Sequence, residues 1–293
     1  MNGKQDVYSR VTNKIIADLE RGNLTWLQPW QAGHAAGPVS KPLRAAGKPY
    51  RGINVVMLWA SAMEHGFSCP IWLTYKQAGE LGGQVRKGEK GSLVVYADTF
   101  TKSGTDDKGE AVETEIPFMK GYTVFNAEQI DGLPAHYYAR TEPRHSTALE
   151  YREAAERFFA ATDARIKHGG DRAFYRITDD LVQMPELQTF RDAESYYATL
   201  AHEMTHWTRH ESRLNRDFGF KRFGDAGYAM EELVAEIGAA FLCADLGITP
   251  ETREDHAAYI ASWLKVLKED KRAVFTAASH AQRAADLLHR FQQ

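Results

Sequence analysis

At 293 residues, 43% hydrophobic and 26% charged, the chain has the makeup of an ordinary globular protein, which excludes collagen-like, coiled-coil and wholly disordered classes. Its length suits two domains of roughly 100–200 residues each. The net charge of −3 conceals an asymmetry: residues 1–140 carry 16 Lys and Arg against 14 Asp and Glu, and residues 141–293 carry 20 against 25.

The longest mainly apolar stretch, Ile53 to Met63, falls short of the roughly 18 residues a membrane span needs. The N-terminus shows Val7, Val11, Ile15 and Leu19 at four-residue spacing among charges, an amphipathic helix and not an apolar signal core. A cytosolic protein with no membrane partner is expected. Cys69 and Cys243 lie in opposite halves and in no paired motif, so neither a disulfide framework nor cysteine ligation of a metal is expected.

After the first helix, Gln28 to Pro49 is rich in Gly, Pro and Ala, lacks periodicity and is predicted as a long loop. Gly52–Glu64 and Thr74–Leu81 are predicted helices, the second with Thr74 as N-cap. The β-branched and aromatic runs Gly91–Tyr96 and Gly121–Phe125 predict two strands, with the polar segment between them as a long hairpin connection. Pro134 and Pro143 flank a segment without periodicity, so the domains are set at 1–138 and 145–293. The second opens with a helix over Ser146–Thr162, followed by strands at Ala173–Ile177 and Leu181–Met184 around a Thr178-Asp179-Asp180 turn. Asp192 caps the next helix, in which Tyr196, Leu200, Met204 and Trp207 recur every three or four residues. Further helices are predicted over Gly227–Leu246, stopped by Gly247, and over Arg253–Lys268 and Lys271–Phe291. The fold class is α+β: an N-terminal α/β domain and a mainly helical domain with a small sheet.

The chemistry concentrates on the Asp192-capped helix, which contains His202-Glu203-Met204-Thr205-His206. Helical residues four apart differ by about 40° in direction, so both imidazoles can face one ion, and Glu203 is placed to take a proton from a bound water. Zinc is the expected ion, with another divalent ion such as Mn2+ as the alternative. Downstream, Glu231, Glu232 and Glu236 sit in an apolar surround of Leu233, Val234, Ile237 and Phe241, where a buried carboxylate requires a partner. The glutamate spacing resembles the gluzincin pattern. That resemblance implies Glu232 as third ligand and Glu236 as the acceptor for a ligand-ring N–H. Glu231 is the competing ligand, facing about 100° away from Glu232, so that only one of the two points inward. Tyr175, Tyr228, Arg209, His210 and His280 are all candidates to stabilise a tetrahedral intermediate, and the sequence selects none. The strand before the active helix is a candidate edge for docking an extended peptide.

In the first half, residues 41–90 hold eight basic side chains against three acidic ones. Aromatics are interleaved with them: Trp26, Trp30, Tyr50, Trp59, Trp72, Tyr75 and Tyr96. Stacking rings along a basic groove are how single strands are held without base readout. The DNA-binding candidates are Lys48, Tyr50, Arg51, Asn54, Trp72, Tyr75, Lys76, Arg86, Lys87 and Lys90, with Val85–Gly91 as a compact basic turn. There is no phosphate-loop pattern, and no nucleotide cofactor is expected.

The combination Tyr50-Arg-Gly-Ile-Asn54, Trp72–Ala78, Val85–Gly91, Tyr122–Asn126, His202–Trp207 and Glu231–Phe241 spans nearly the whole length and resembles the ArdC antirestriction proteins of conjugative plasmids and integrative elements. The resemblance implies an N-terminal domain that binds single-stranded DNA, also found joined to plasmid-type primases. It implies a C-terminal zincin-like metallopeptidase domain and protection of incoming DNA from host restriction. A protein substrate of unknown identity goes with that domain. Two rivals remain: a non-enzymatic DNA-coating protein with a structural metal, and a DNA–protein crosslink protease.

Overall fold

The structure, a computed structural model, describes residues 6–27, 40–105, 111–138, 148–219, 224–249 and 256–293. Trp30, most of the predicted loop and the predicted boundary at 139–144 lie outside them.

Helix α1 (Val7–Glu20) is capped by Asp6, which accepts from Ser9 N, and buries Val11, Ile15 and Leu19 along one stripe, as the four-residue spacing requires. Strand β1 (Leu43–Arg44) precedes α2 (Ile53–His65), which ends on Gly66 at φ 73°, a left-handed position that glycine takes without a Cβ clash. Strand β2 (Ile71–Thr74) runs into α3 (Tyr75–Glu80), where Thr74 and Gln77 form a reciprocal capping box. A short strand β3 (Gln84–Val85) follows, then the long pair β4 (Ser92–Thr105) and β5 (Ala111–Asn126), and β6 (Ile130–Asp131) pairs back with β3. The main sheet runs β1-β2-β5-β4, antiparallel except for β1 with β2.

The described part of the polar segment expected to be a hairpin connection is strand: pairing runs without a break from Ser92↔Val124 to Thr105↔Ala111. It holds Thr99, Thr101, Thr105, Val112 and Thr114, whose branched Cβ favours extended backbone without any apolar alternation to advertise it.

The second half begins with α4 (Ala148–Ala160) and a three-stranded sheet of β7 (Arg165–His168), β8 (Phe174–Arg176) and β9 (Leu181–Met184), ordered β7-β9-β8. Strand β7 escaped sequence analysis because Arg-Ile-Lys-His has neither run nor alternation; parallel pairing with β9 makes it a strand. Asp192 caps α5 (Ala193–Trp207), and Asp225 caps α6 (Ala226–Leu246), which stops at left-handed Gly247. Helices α7 (His256–Glu269) and α8 (Ala273–Arg290) complete the fold. Among the described residues no helix is long and apolar enough to cross a membrane.

The two-domain α+β architecture is joined by one hydrophobic core. Trp26 meets Trp263 of α7 edge-on at 5.5 Å, and Trp59 meets Phe241 of α6 at 6.0 Å, so α1 and α2 share a core with α6, α7 and α8. Lys41 and His289 both reach Asp245, at 2.5 and 2.9 Å. A smaller cluster of Leu73, Ala78, Val85, Ile130 and Leu133 lies under the N-terminal sheet.

Helices α5 and α6 touch closely at Gly238, where a Cβ would lie 2.6 Å from Thr205 Cγ2 and 2.9 Å from its Oγ1. Thr205 is fully buried and its hydroxyl bonds Ala201 O at 2.8 Å, so it cannot swing aside cheaply. Gly238→Ala should therefore cost about 1–3 kcal/mol through overpacking. Urea unfolding followed by tryptophan fluorescence checks this, and a loss below about 0.5 kcal/mol would mean that the helices separate without penalty.

Candidate metal centre

Helix α5 runs under the small sheet and is buried on nearly all sides from Ser195 to Trp207. That explains a sequence with aromatic, small and polar residues but no charged face. Helix α6 crosses it, buried almost throughout, and the crossing brings His202, His206 and Glu232 together. One donor atom from each lies within 4.8 Å of the others. The Nε2 atoms of His202 and His206 are 3.2 Å apart, and Glu232 Oε2 and Oε1 lie 3.5 and 3.4 Å from them. Two zinc–nitrogen bonds of about 2.0–2.1 Å at a tetrahedral angle give an N···N separation of about 3.3 Å. The donor set therefore fits a divalent ion in type and spacing.

Each imidazole has a carboxylate behind it. Glu236 Oε1 is 3.3 Å from His202 Nδ1, and Glu231 Oε1 is 3.0 Å from His206 Nδ1. With the proton held on Nδ1, each Nε2 presents its lone pair to the shared point. Glu231, expected as a rival ligand, turns instead to the back of His206, as its roughly 100° offset from Glu232 demands. It is held there by Arg216, which sequence analysis missed. Arg216 Nε and Nη2 donate to Glu231 at 2.8 and 2.7 Å, and its other donors reach Thr208 Oγ1 and Thr205 O. Arg216 lies in an irregular loop whose sequence carries no periodic signal.

The cage is electronegative. Burial disfavours a charged ring at His206, yet Glu232 and Glu231 overcome it and raise its pKa to about 10. Burial likewise opposes ionisation of Glu231, but Arg216 and His206 pull its pKa down to about 2. Glu232 is held well below the usual carboxylate range by the two imidazoles, against its burial. A cation here would meet ionised carboxylates already in place.

The centre opens into a cavity of about 810 Å³ lined by Glu203, Phe174, Tyr175, Ile177, Arg172, Arg209, Tyr228 and Tyr259 among others. Of the five candidate electrophiles, Tyr175, Tyr228 and Arg209 line it; His210 and His280 are not among the lining residues. The Tyr175 hydroxyl is tied to Asp180 at 2.9 Å, and Arg213 pairs with Asp180 while stacking on Trp207 at 3.8 Å. The Tyr228 and Tyr259 hydroxyls meet at 2.8 Å. Strand β8 is an edge of its sheet and forms one wall.

The N-terminal candidates separate into two groups. Trp72 is 1% exposed and Tyr50 8%, so neither ring has a face for a base; both are core residues, a correction that burial imposes and composition could not foresee. Asn54 bridges Val95, donating to its carbonyl at 2.8 Å and accepting from its N–H at 2.7 Å, which pins α2 to β4. Arg51 pairs with Asp286, Lys76 with Glu80 and Arg86 with Glu89 and Asp131. Lys48, Lys87 and Lys90 are exposed, with no ion pair among the described residues. Tyr75, 59% exposed, borders a second cavity of about 590 Å³ with Gln84, Arg86, Lys87 and Phe125.

Two histidines four apart on one helix, a glutamate from a crossing helix and a small mixed sheet beside them define a zincin-like metallopeptidase domain, and residues 153–280 match that family. Residues 5–125 match the N-terminal domain of anti-restriction factor ArdC. The chain belongs to the ArdC antirestriction family. Two crystal structures of antirestriction ArdC protein from the R388 plasmid resemble it over 98% of both chains. The metal-free one is 51% identical with a TM-score of 0.80. The Mn(II)-bound one is 49% identical with a TM-score of 0.79. An uncharacterized protein of Sinorhizobium fredii, y4eC, is 45% identical over 97% of this chain and 92% of its own length. DNA primase TraC of Escherichia coli is 41% identical over 99% of this chain, which spans 28% of that protein.

Glu231→Gln would leave the fully buried Arg216 guanidinium without its counter-charge, costing about 3–5 kcal/mol, whereas Glu231→Met with Arg216→Met removes both charges and should recover much of the loss. Denaturant unfolding of the three proteins tests this. Equal stability of the single variant and wild type would show that Arg216 does not need the carboxylate.

Proposed function

We propose that the chain is an antirestriction protein whose N-terminal domain, residues 1–138, binds single-stranded DNA and whose second domain, 145–293, is a zinc-type peptidase acting on a protein associated with that DNA. The observation that carries the peptidase assignment is the convergence of two imidazole Nε2 atoms and Glu232, with Glu203 on the same cavity wall. His202, His206 and Glu232 would hold the ion; when bound, it supplies a Lewis acid and an acidified water near neutral pH. Glu203, one residue after the first ligand, takes the water's proton and returns it to the leaving amine. Glu236 and Glu231 orient the two rings. Tyr228, with Tyr259 behind it and Glu232 beside it on the cavity wall, is the hydroxyl we assign to the oxygen that gains charge.

Glu203→Gln should keep the metal and lose turnover by at least about 100-fold, while Glu232→Ala should lose the metal. Metal content by mass spectrometry, cleavage assays with DNA present, and plasmid transfer into a restriction-proficient recipient separate the possibilities. Unchanged protection with Glu203→Gln sinks the catalytic role and leaves a DNA-coating protein.

For the DNA-binding domain, the exposed Tyr75 ring and Lys48, Lys87 and Lys90, which have no ion pair among the described residues, are the contacts we retain from the sequence. Tyr75→Ala should cost about 1–3 kcal/mol of affinity for a single strand, and Lys87→Glu should flatten the salt dependence by about one phosphate contact. Fluorescence anisotropy across a salt series measures both. A wild-type slope in Lys87→Glu would remove the Val85–Gly91 turn from the interface.

A further inference from the structure

Past the metal-binding residues, α5 tightens. Thr208 N still bonds Met204 O at 3.2 Å, but Arg209 N bonds His206 O at 2.9 Å and His210 N bonds Trp207 O at 3.4 Å, the i+3 pattern of a 3₁₀ turn. At this turn Arg209, like His206, lines the cavity. Its backbone is fixed from the other side, because its carbonyl accepts from Arg216 N at 3.0 Å.

Arg209 differs from the arginines around it. Arg216 spends its donors on Glu231, Thr205 and Thr208, and Arg213 on Asp180 and Trp207 O. The Arg209 Nε is buried with no hydrogen-bond partner, and among the described residues its guanidinium has no ion pair. A buried guanidinium N–H without an acceptor costs free energy that a ligand can return. The fork geometry of guanidinium suits a planar, two-oxygen anion.

We propose that Arg209 forms a carboxylate-binding subsite beside the metal centre, selecting polypeptide substrates that present a carboxylate next to the bond to be cut. This deepens the peptidase assignment and rests on it. The cavity wall also carries Glu203, Glu231, Glu232 and Asp171, and the second half has a surplus of acidic residues. These four acidic side chains outnumber the two arginines of the wall, Arg172 and Arg209, so a lone carboxylate held by Arg209 is accommodated better than a polyphosphate strand.

The test uses the full-length, zinc-loaded protein and two pairs of probes: the monohydroxamates of succinic and glutaric acid and the corresponding amides, with affinities read by calorimetry. Hydroxamates bind the metal without needing turnover. The acid of at least one pair should bind about tenfold or more tightly than its amide. In Arg209→Gln that gap should close to within about twofold, with amide affinity and zinc content unchanged. Arg209→Lys, which keeps charge but not the fork, should retain part of it. The gap is read by binding alone and turnover by cleavage assays, so the subsite and the peptidase assignment fail separately. Peptide hydroxamates bearing either a free C-terminus or an aspartate side chain then distinguish the two sources of carboxylate. Equal binding of acid and amide, or a gap that survives Arg209→Gln, overturns the proposal. So does displacement of the acid by a single-stranded oligonucleotide that Arg209→Gln abolishes, which would assign the arginine to phosphate.

Discussion

The close crossing of α5 and α6 at Gly238 governs everything the second domain does. Two histidines on one helix cannot complete a metal site alone, and the third donor arrives only if the partner helix comes near enough. Glycine on α6 meets Thr205 on α5, and Thr205 lies one residue before His206. The same crossing brings Glu232 to both Nε2 atoms and Glu236 and Glu231 to the two Nδ1 atoms. Packing and coordination are thus one constraint: a shift of a few tenths of an ångström between the helices would act on both.

The electrostatics follow from that packing. Three glutamates of α6 and Glu203 of α5 are buried in an apolar shell, an arrangement that would be costly without partners. Arg216 and the two imidazoles supply them. Arg216 pairs with Glu231 behind His206, while Glu232 lies against both Nε2 atoms, where a cation would sit. The three arginines that follow α5 have divided tasks: Arg216 holds Glu231, Arg213 ties the loop to the Asp180 turn, and Arg209 faces the cavity.

The N-terminal helices are part of the same solid. Helices α1 and α2 contribute Leu19, Trp59 and their neighbours to the core that α6, α7 and α8 complete, and Asp245 is clamped from both halves by Lys41 and His289. Trp59 and Lys41 both touch Phe241 of α6, so the packing between the halves is contiguous. Trp26, Trp59, Trp72 and Tyr50, from the aromatic-rich basic region, are buried in this core.

Local signals determined much in advance. The Asp192 and Thr74 caps, the Gly247 stop, the four-residue spacing of α1 and the His202–His206 motif are each decided within one or two helical turns, where side chain and backbone act on each other directly. The α+β class and the helix that carries the two histidines were therefore legible from the chain alone. Tertiary structure decided the rest. Whether Glu231 or Glu236 stands behind a given imidazole depends on the angle at which α6 crosses α5. Whether Trp72 stacks on a base or fills a core depends on what α2 covers. Arg216 becomes the partner of Glu231, and Arg209 a cation on the cavity wall, through an irregular loop that has no period to read. Burial and cross-chain pairing are relations between segments distant in sequence, and a single chain carries no local mark of them.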